Sequence, residues 1–155
     1  MDLEASKVAF ANAFVNRPEF LQKYQDKTTA ESFVDALLME LRNSAGVDLN
    51  AERATLITRY NEAGTTNAGR ASAARAVADN SVLATASYNP SFVMFEYFGY
   101  LRRGAEPEGY AFWLNVMNNT GAGSYRGMVC SFLTSTEYQR RFGTVITRSN
   151  GQCTP

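Results

Sequence analysis

The chain has no histidine, and this absence excludes several kinds of catalytic and metal site. Without imidazole there is no Ser–His or Cys–His nucleophile pair, no imidazole general base and no histidine-ligated metal. The two cysteines are too few for a structural zinc site, which draws most of its ligands from cysteine and histidine. We therefore expect neither a metal nor a cofactor.

The chain also lacks an excess of either charge and any long apolar run. Its 15 basic and 15 acidic side chains give a formal net charge of zero, whereas nucleic-acid binding depends on clustered lysine and arginine. No apolar run approaches the roughly 18 residues that cross a bilayer. We expect no nucleic-acid partner and no membrane span. The start, Met1 to Glu4, is acidic with no apolar signal core after it, so we expect no secretory peptide here. The half repeat at the start of the chain, described below, suggests a trimmed or processed fragment, which would explain that absence.

Helical periodicity, by contrast, runs along nearly all of the 155 residues. Apolar residues between Ser32 and Leu41 recur at helical spacing, Thr28 and Glu31 have the form of a capping box, and Gly46 supplies a stop signal. Asn89–Pro90 indicates a new helix start, because proline is tolerated in the first turn. These signals predict a compact all-α domain of about eight to ten short helices. The helices are expected near 4–15, 17–25, 29–44, 50–62, 68–79, 80–87, 90–103, 107–119, 123–134 and 135–142.

An internal repeat is visible in the sequence. Four residues near the start align with four near the end in the same order: Phe14 with Phe132, Glu19 with Glu137, Phe20 with Tyr138, and Tyr24 with Phe142. A degenerate middle copy places Val77 opposite Phe14 and Leu83 opposite Phe20. The repeat predicts one all-α domain over 1–143, built from a half repeat (4–27) and two repeats (28–88 and 89–143), with a polar tail over 144–155.

Three segments carry a resemblance to a known family: Phe14 to Phe20, Ser91 to Leu114, and Met128 to Gly143 with its Ser-Thr-Glu-Tyr and Phe-Gly elements. Together they resemble a bacterial helical repeat catalogued as a domain of unknown function, common in secreted and surface-layer proteins. That repeat is itself similar to the phycobilisome linker domain. The resemblance implies an extracellular or cell-surface bacterial location and no established activity. Family members usually carry an uncharged residue at Glu96 and a small one at Cys130, so it gives neither residue a role.

Glu96 is the residue best suited to chemistry. It lies within an almost wholly apolar helix, where burial would raise a carboxyl pKa and prepare a general acid. Hydrolysis of a glycoside needs a second carboxylate within about 5–9.5 Å, and Glu106 and Glu108 are the nearest in sequence. The more ordinary interpretation makes Glu96 part of a structural pair with a tyrosine hydroxyl or an arginine, the candidates being Arg75, Arg102 and Arg126.

Aromatic residues are concentrated over the same stretch of chain. Tyr97, Tyr100, Tyr110 and Trp113, with Phe112 beside them, would suit sugar stacking or a protein partner if exposed, and would form core if buried. Both interpretations stay open.

The two cysteines, Cys130 on a predicted helix and Cys153 in the tail, form a candidate disulfide. The alternative is a buried Cys130 with a free Cys153.

These observations predict a non-catalytic interaction or structural module of a secreted or cell-surface bacterial protein. The alternative is a small, histidine-free carboxylate hydrolase resembling a glycoside hydrolase, with Glu96 as general acid. A protein or polysaccharide partner and self-association through repeat faces are the open forms of binding.

Overall fold

The computed structural model describes residues 2–121 and 124–143, and all regular structure in these ranges is helical. The predicted all-α class is confirmed. The helices are α1 (Leu3–Val15), α2 (Pro18–Lys23), α3 (Ala30–Ala45), α4 (Arg53–Glu62) after a 3₁₀ turn (Asn50–Glu52), α5 (Thr66–Ala78), α6 (Ser81–Glu96) continuing as a π turn (Tyr97–Leu101), α7 (Pro107–Asn119), α8 (Ser124–Thr134) and α9 (Thr136–Phe142). Among the described residues, none of these helices has the length and apolar character that crossing a membrane requires.

The ends of α3 show how local sequence sets the boundaries. The capping box forms between Thr29 and Ser32, whose side chain and backbone groups bond reciprocally, and not between Thr28 and Glu31 as predicted. Serine takes the role of the expected carboxylate because its hydroxyl also accepts from the N-cap amide. Gly46 ends the helix in the left-handed region at φ 66°, where glycine avoids the penalty of a side chain.

The prediction of a helix break at Asn89–Pro90 is wrong, because α6 runs through Pro90 without interruption. A proline inside a helix removes a single backbone hydrogen bond and keeps a helical φ, so strong neighbouring turns can carry the helix past it. The amide of Asn89 donates to the side-chain oxygen of Asn118 at 2.8 Å, which ties this turn of α6 to α7. The helix ends only after the π turn, where Arg102 adopts a left-handed φ of 54°.

The chain divides into two compact units, Met1–Ala86 and Ser87–Pro155. The core of the first unit surrounds Phe33 and Val34, which are completely buried. The core of the second surrounds Val93 and Met128, which are also completely buried. The prediction of a single domain over 1–143, with repeats meeting at 88/89, stays a prediction, and the predicted tail 144–155 lies outside the described residues.

One charged residue, Arg70, is buried in the described part of the first unit. Its Nη2 donates to the backbone carbonyls of Tyr24 and Lys27 at 2.8 and 3.0 Å, and its guanidinium lies over the ring of Phe33 at 5.8 Å. The arginine thus donates to two carbonyls of the segment that follows α2, and the Tyr24 carbonyl also accepts from the backbone amide of Lys27.

Candidate functional site

The carboxylate of Glu96, at the junction of α6 and the π turn, is half-buried. Its Oε2 is fully buried and has no hydrogen-bond partner. Burial raises the pKa of this carboxyl above its ordinary value, with no charged neighbour contributing. Its negative charge in turn adds to burial in raising the pKa of Tyr100. Glu96 is therefore a carboxyl group whose ionised form is disfavoured by burial.

Two of the three predicted arginine partners of Glu96 are engaged elsewhere. Arg75 bonds to Glu4 and Asp79, and the guanidinium of Arg102 lies over the ring of Phe142 at 5.9 Å. Glu96 forms no ion pair with any described residue. Its structural pairing with an arginine is not formed.

Glu106, the first candidate for a second carboxylate, belongs to a different network. It accepts hydrogen bonds from Tyr97 Oη at 3.3 Å and from the guanidinium of Arg103. Arg103 also donates from Nε and Nη2 to the two carboxylate oxygens of Glu137, at 2.7 and 2.9 Å. The bond from Arg103 is the main cause that lowers the pKa of both Glu106 and Glu137. Both are therefore ionised at neutral pH and serve as arginine acceptors.

Gly109 explains how this network fits beneath α7. A Cβ built at this position would lie 2.3 Å from both Glu106 Oε1 and Tyr97 Oη. A side chain there would separate the tyrosine hydroxyl from the carboxylate, so glycine is needed for the close approach. Arg103 completes the arrangement with its guanidinium 5.2 Å from the centre of the Tyr97 ring.

These positions do not assemble a two-carboxylate hydrolytic site. Glu96 has a raised pKa with no contribution from a second carboxylate, and Glu106 is held by Arg103. Glu108 is exposed in the first turn of α7, where a negative charge favours the helix N-terminus. The residues that the structure describes also contain no cluster of three or more potential metal ligands.

The aromatic residues predicted as a binding surface lie mainly in or against the core of the second unit. Tyr97 is buried, and its ring meets that of Phe132 at 4.8 Å. Tyr100, Tyr110 and Trp113 are half-buried and pack against the same core.

The strongly exposed aromatic residues of α6 and its π turn were missed from the sequence. Phe95 is 71% exposed and Phe98 is 49% exposed, and Tyr88 is exposed on the same helix. They adjoin a groove of about 290 Å³ lined by Ser87, Pro90, Ser91, Met94, Phe95, Phe98 and Tyr110. The sequence did contain a signal for these exposed rings, since the segment from Phe92 to Phe98 is apolar on nearly every side of the helix. When only one face of such a helix packs, apolar residues on the other faces stay uncovered.

A larger cavity of about 840 Å³ lies in the first unit between α1, α4 and α5. Its floor is formed by small residues of α5, including Ala68 and Ala71. Its charged residues have both signs: Arg75 and Asp79 bond each other, while Arg59 and Glu52 are exposed. This mixture favours no single class of ligand.

Cys130 lies on α8, is buried, and is disulfide-bonded. Cys153 lies outside the described residues, so the predicted pairing of these two residues stays a prediction.

Residues 79–142 match a family model described as "Domain of unknown function (DUF4214)". No curated protein and no solved structure matches the chain. The matched segment contains α6 to α9, and with them Glu96, Gly109 and the Arg103 network. Residues 79–142 are thus similar to a helical family without an assigned activity.

Proposed function

We propose that the chain is a non-catalytic interaction module whose binding surface is the groove of α6 beside Phe95 and Phe98. The exposure of these two aromatic rings carries the proposal. Large aromatic side chains exposed beside a concave surface are typical of binding sites, because they bury much area at a small cost in conformational entropy. The engaged state of Glu106 argues against hydrolysis, and nothing supports the hydrolase alternative.

The lining of the groove favours an uncharged, apolar segment of a partner protein. Among the residues that the structure describes, no lysine, arginine, aspartate or glutamate lines it, and its polar side chains are two serines and one tyrosine. A charged partner would lose hydration there without gaining an opposite charge. A polysaccharide needs several hydrogen-bonding groups for its hydroxyls, and this groove offers few.

The secreted or cell-surface bacterial location is part of the same proposal. The disulfide-bonded state of Cys130 supports it, because structural disulfides persist in oxidising compartments. The resemblance to secreted bacterial repeats, and through them to the phycobilisome linker domain, supports it as well.

The test uses the complete chain and a fluorescent, uncharged amphipathic helical peptide with leucine on one face. Fluorescence anisotropy measures its affinity for the parent chain and for Phe95→Ser and Phe98→Ser variants. Each variant should weaken binding by about tenfold, the effect of losing one modest aromatic anchor. Phe112→Ser is the matched control, since Phe112 is similarly exposed but does not line the groove, and it should leave the affinity unchanged.

Equal affinities in all variants, or no saturable binding, would overturn the proposal. Chitin and peptidoglycan oligosaccharides provide a second arm, and saturable sugar binding lost in Phe95→Ser would replace the protein partner by a polysaccharide. Release of reducing sugar by the parent but not by Glu96→Gln would overturn the non-catalytic function.

A further inference from the structure

Three helix pairs of the chain occupy corresponding places in the sequence repeat. They are α1–α2, α5–α6 and α8–α9, and their second helices begin at Pro18, Ser81 and Thr136. These starts coincide in the alignment that pairs Phe14 with Val77 and Phe132. In each copy of the sequence repeat, one helix therefore ends and a second begins at the same aligned position.

Two positions of this pair are buried in the later copies and exposed in the first. At the earlier position, Ala73 and Met128 are both 0% exposed, whereas Phe10 is 66% exposed. The later position is one turn further along the helix. There Val77 and Phe132 are 6% and 5% exposed, and Phe14 is 40% exposed.

The second unit shows what covers these positions. The ring centroid of Phe132 lies 4.8 Å from that of Tyr97 and 5.8 Å from that of Trp113, so residues of the π turn and of α7 cover it. Five residues further, on α9, Glu137 accepts two hydrogen bonds from Arg103. In the second unit, the helix pair α8–α9 is thus contacted by aromatic rings and one arginine, all supplied by the segment from the π turn to α7.

The first copy carries the same recognition groups without those partners. The ring centroids of Phe10 and Phe14 on α1 lie 6.2 Å apart in a stacked pair, and the centroid of Phe14 lies 5.4 Å from that of Phe20 on α2. Glu19, which aligns with Glu137, is exposed and forms no ion pair within residues 2–121 and 124–143. An apolar pair, Phe10 and Phe14, and an acidic residue, Glu19, are therefore exposed at aligned positions whose equivalents in the second unit are covered or bonded.

We propose that the surface formed by Phe10, Phe14 and Glu19 binds a segment of another repeat that corresponds to α6, the π turn and α7. This segment presents aromatic rings to Phe14 and an arginine to Glu19. The occupant has the chemistry of α6, the π turn and α7, and is supplied by another repeat of this kind. This surface is separate from the α6 groove, so the proposal does not depend on the proposed function.

The experiment joins a second copy of residues 79–121 to the start of the complete chain through a flexible glycine–serine linker. Such a linker gives an effective concentration in the millimolar range, so even a weak contact is populated. The added segment brings a second tryptophan, equivalent to Trp113, whose emission is obtained by subtracting the spectrum of the unfused chain. Circular dichroism and limited proteolysis report whether the segment is folded.

If the proposal is right, the added segment is helical and protease-resistant, and its tryptophan emission is shifted to the blue. Phe10→Asp in the fused chain should abolish this protection, while Met39→Asp, at an equally exposed apolar position on α3, should not. Glu19→Lys should weaken the protection a few-fold, and Arg103→Glu in the added copy alone should restore it. A merely structural effect of Glu19 would not be rescued by the reversed charge.

An added segment that stays unfolded and protease-sensitive, on a chain with native helicity, would overturn the proposal. A concentration-dependent dimer of the unfused chain that Phe10→Asp dissociates, with the added segment undocked, would overturn it in favour of symmetric pairing between two copies. If Arg103→Glu in the added copy does not restore the protection lost in Glu19→Lys, the proposed contact between Glu19 and an arginine of the partner is overturned.

Discussion

Substituting alanine for Gly69 should destabilise the protein, against the usual preference of helices for alanine. Gly69 lies in α5, where an added Cβ would be 2.7 Å from the carbonyl oxygen of Tyr60 and 2.8 Å from Cδ1 of its ring. Ordinary van der Waals contacts at such a Cβ begin near 3.4 Å. Because one of the clashing atoms is backbone, α4 and α5 must move apart to accept the methyl group.

The magnitude follows from two opposing effects. Overpacking of a well-filled core costs about 1–3 kcal/mol, and the helix propensity of alanine over glycine returns about 1 kcal/mol. The net loss should be about 1 kcal/mol, which lowers Tm by roughly 2–4 °C in a protein of this size.

Thermal unfolding followed by circular dichroism, with urea unfolding for the free energy, measures the effect. Gly127→Ala is the matched control, because Gly127 also lies within a helix and its Cβ would meet nothing within 4 Å. It should raise Tm through helix propensity alone. A Gly69→Ala protein as stable as the Gly127→Ala protein would refute the close approach of α4 and α5.

The other predictions concern single buried or bonded groups. Arg70→Met should cost about 1–3 kcal/mol in urea unfolding, because it removes a buried hydrogen bond to the Tyr24 carbonyl and takes the side-chain donor from the part-buried Lys27 carbonyl. An unchanged midpoint would contradict this. Arg103→Gln should lower the free energy of unfolding at neutral pH. This loss should shrink as the pH falls through the carboxyl range, because Glu106 and Glu137 have lowered pKa values and lose their stabilising charge there. A loss that is constant with pH would exclude the pairing. Glu96→Gln should be more stable than the parent at neutral pH and equal to it in acid. Burial raises the pKa of the Glu96 carboxyl, so the parent loses stability as this group ionises. The reverse order in measurements of Tm against pH would show that the carboxylate has a stabilising partner. Cys130→Ser should cost about 3 kcal/mol if the disulfide to Cys153 closes its loop, and peptide mapping under non-reducing conditions identifies the pair directly.

Local sequence signals were sufficient for most helices, because each boundary depends on a few neighbouring groups. Threonine and serine caps and a left-handed glycine mark the ends of α3 within one residue of the prediction. The helix start predicted at Pro90 was wrong, because Pro90 lies within α6. A proline can begin a helix or lie inside one, and which of the two occurs depends on whether the preceding turns pack against other parts of the protein. Sequence alone has no access to that packing.

The candidate site divides in the same way. Glu96 was recognised as unusual from its apolar neighbours, and its pKa is indeed raised by burial. That Glu106 would be held by Arg103 and Tyr97 was not predictable, since the arginine points to a carboxylate on α9 and to one before α7 at once. The need for Gly109 likewise follows only from the distance between these side chains.

The sequence by itself determined the all-α class, the repeated helix pair and the exclusion of histidine chemistry, because these depend on composition and on the 3.6-residue period. Tertiary structure decided which apolar residues remain outside. Phe14 and Phe132 occupy aligned positions of the repeat, yet Phe14 is exposed and Phe132 is buried, because Phe132 has the aromatic rings of Tyr97 and Trp113 packed against it. Burial is a property of the neighbours that a residue meets, and those neighbours are brought together only by the fold.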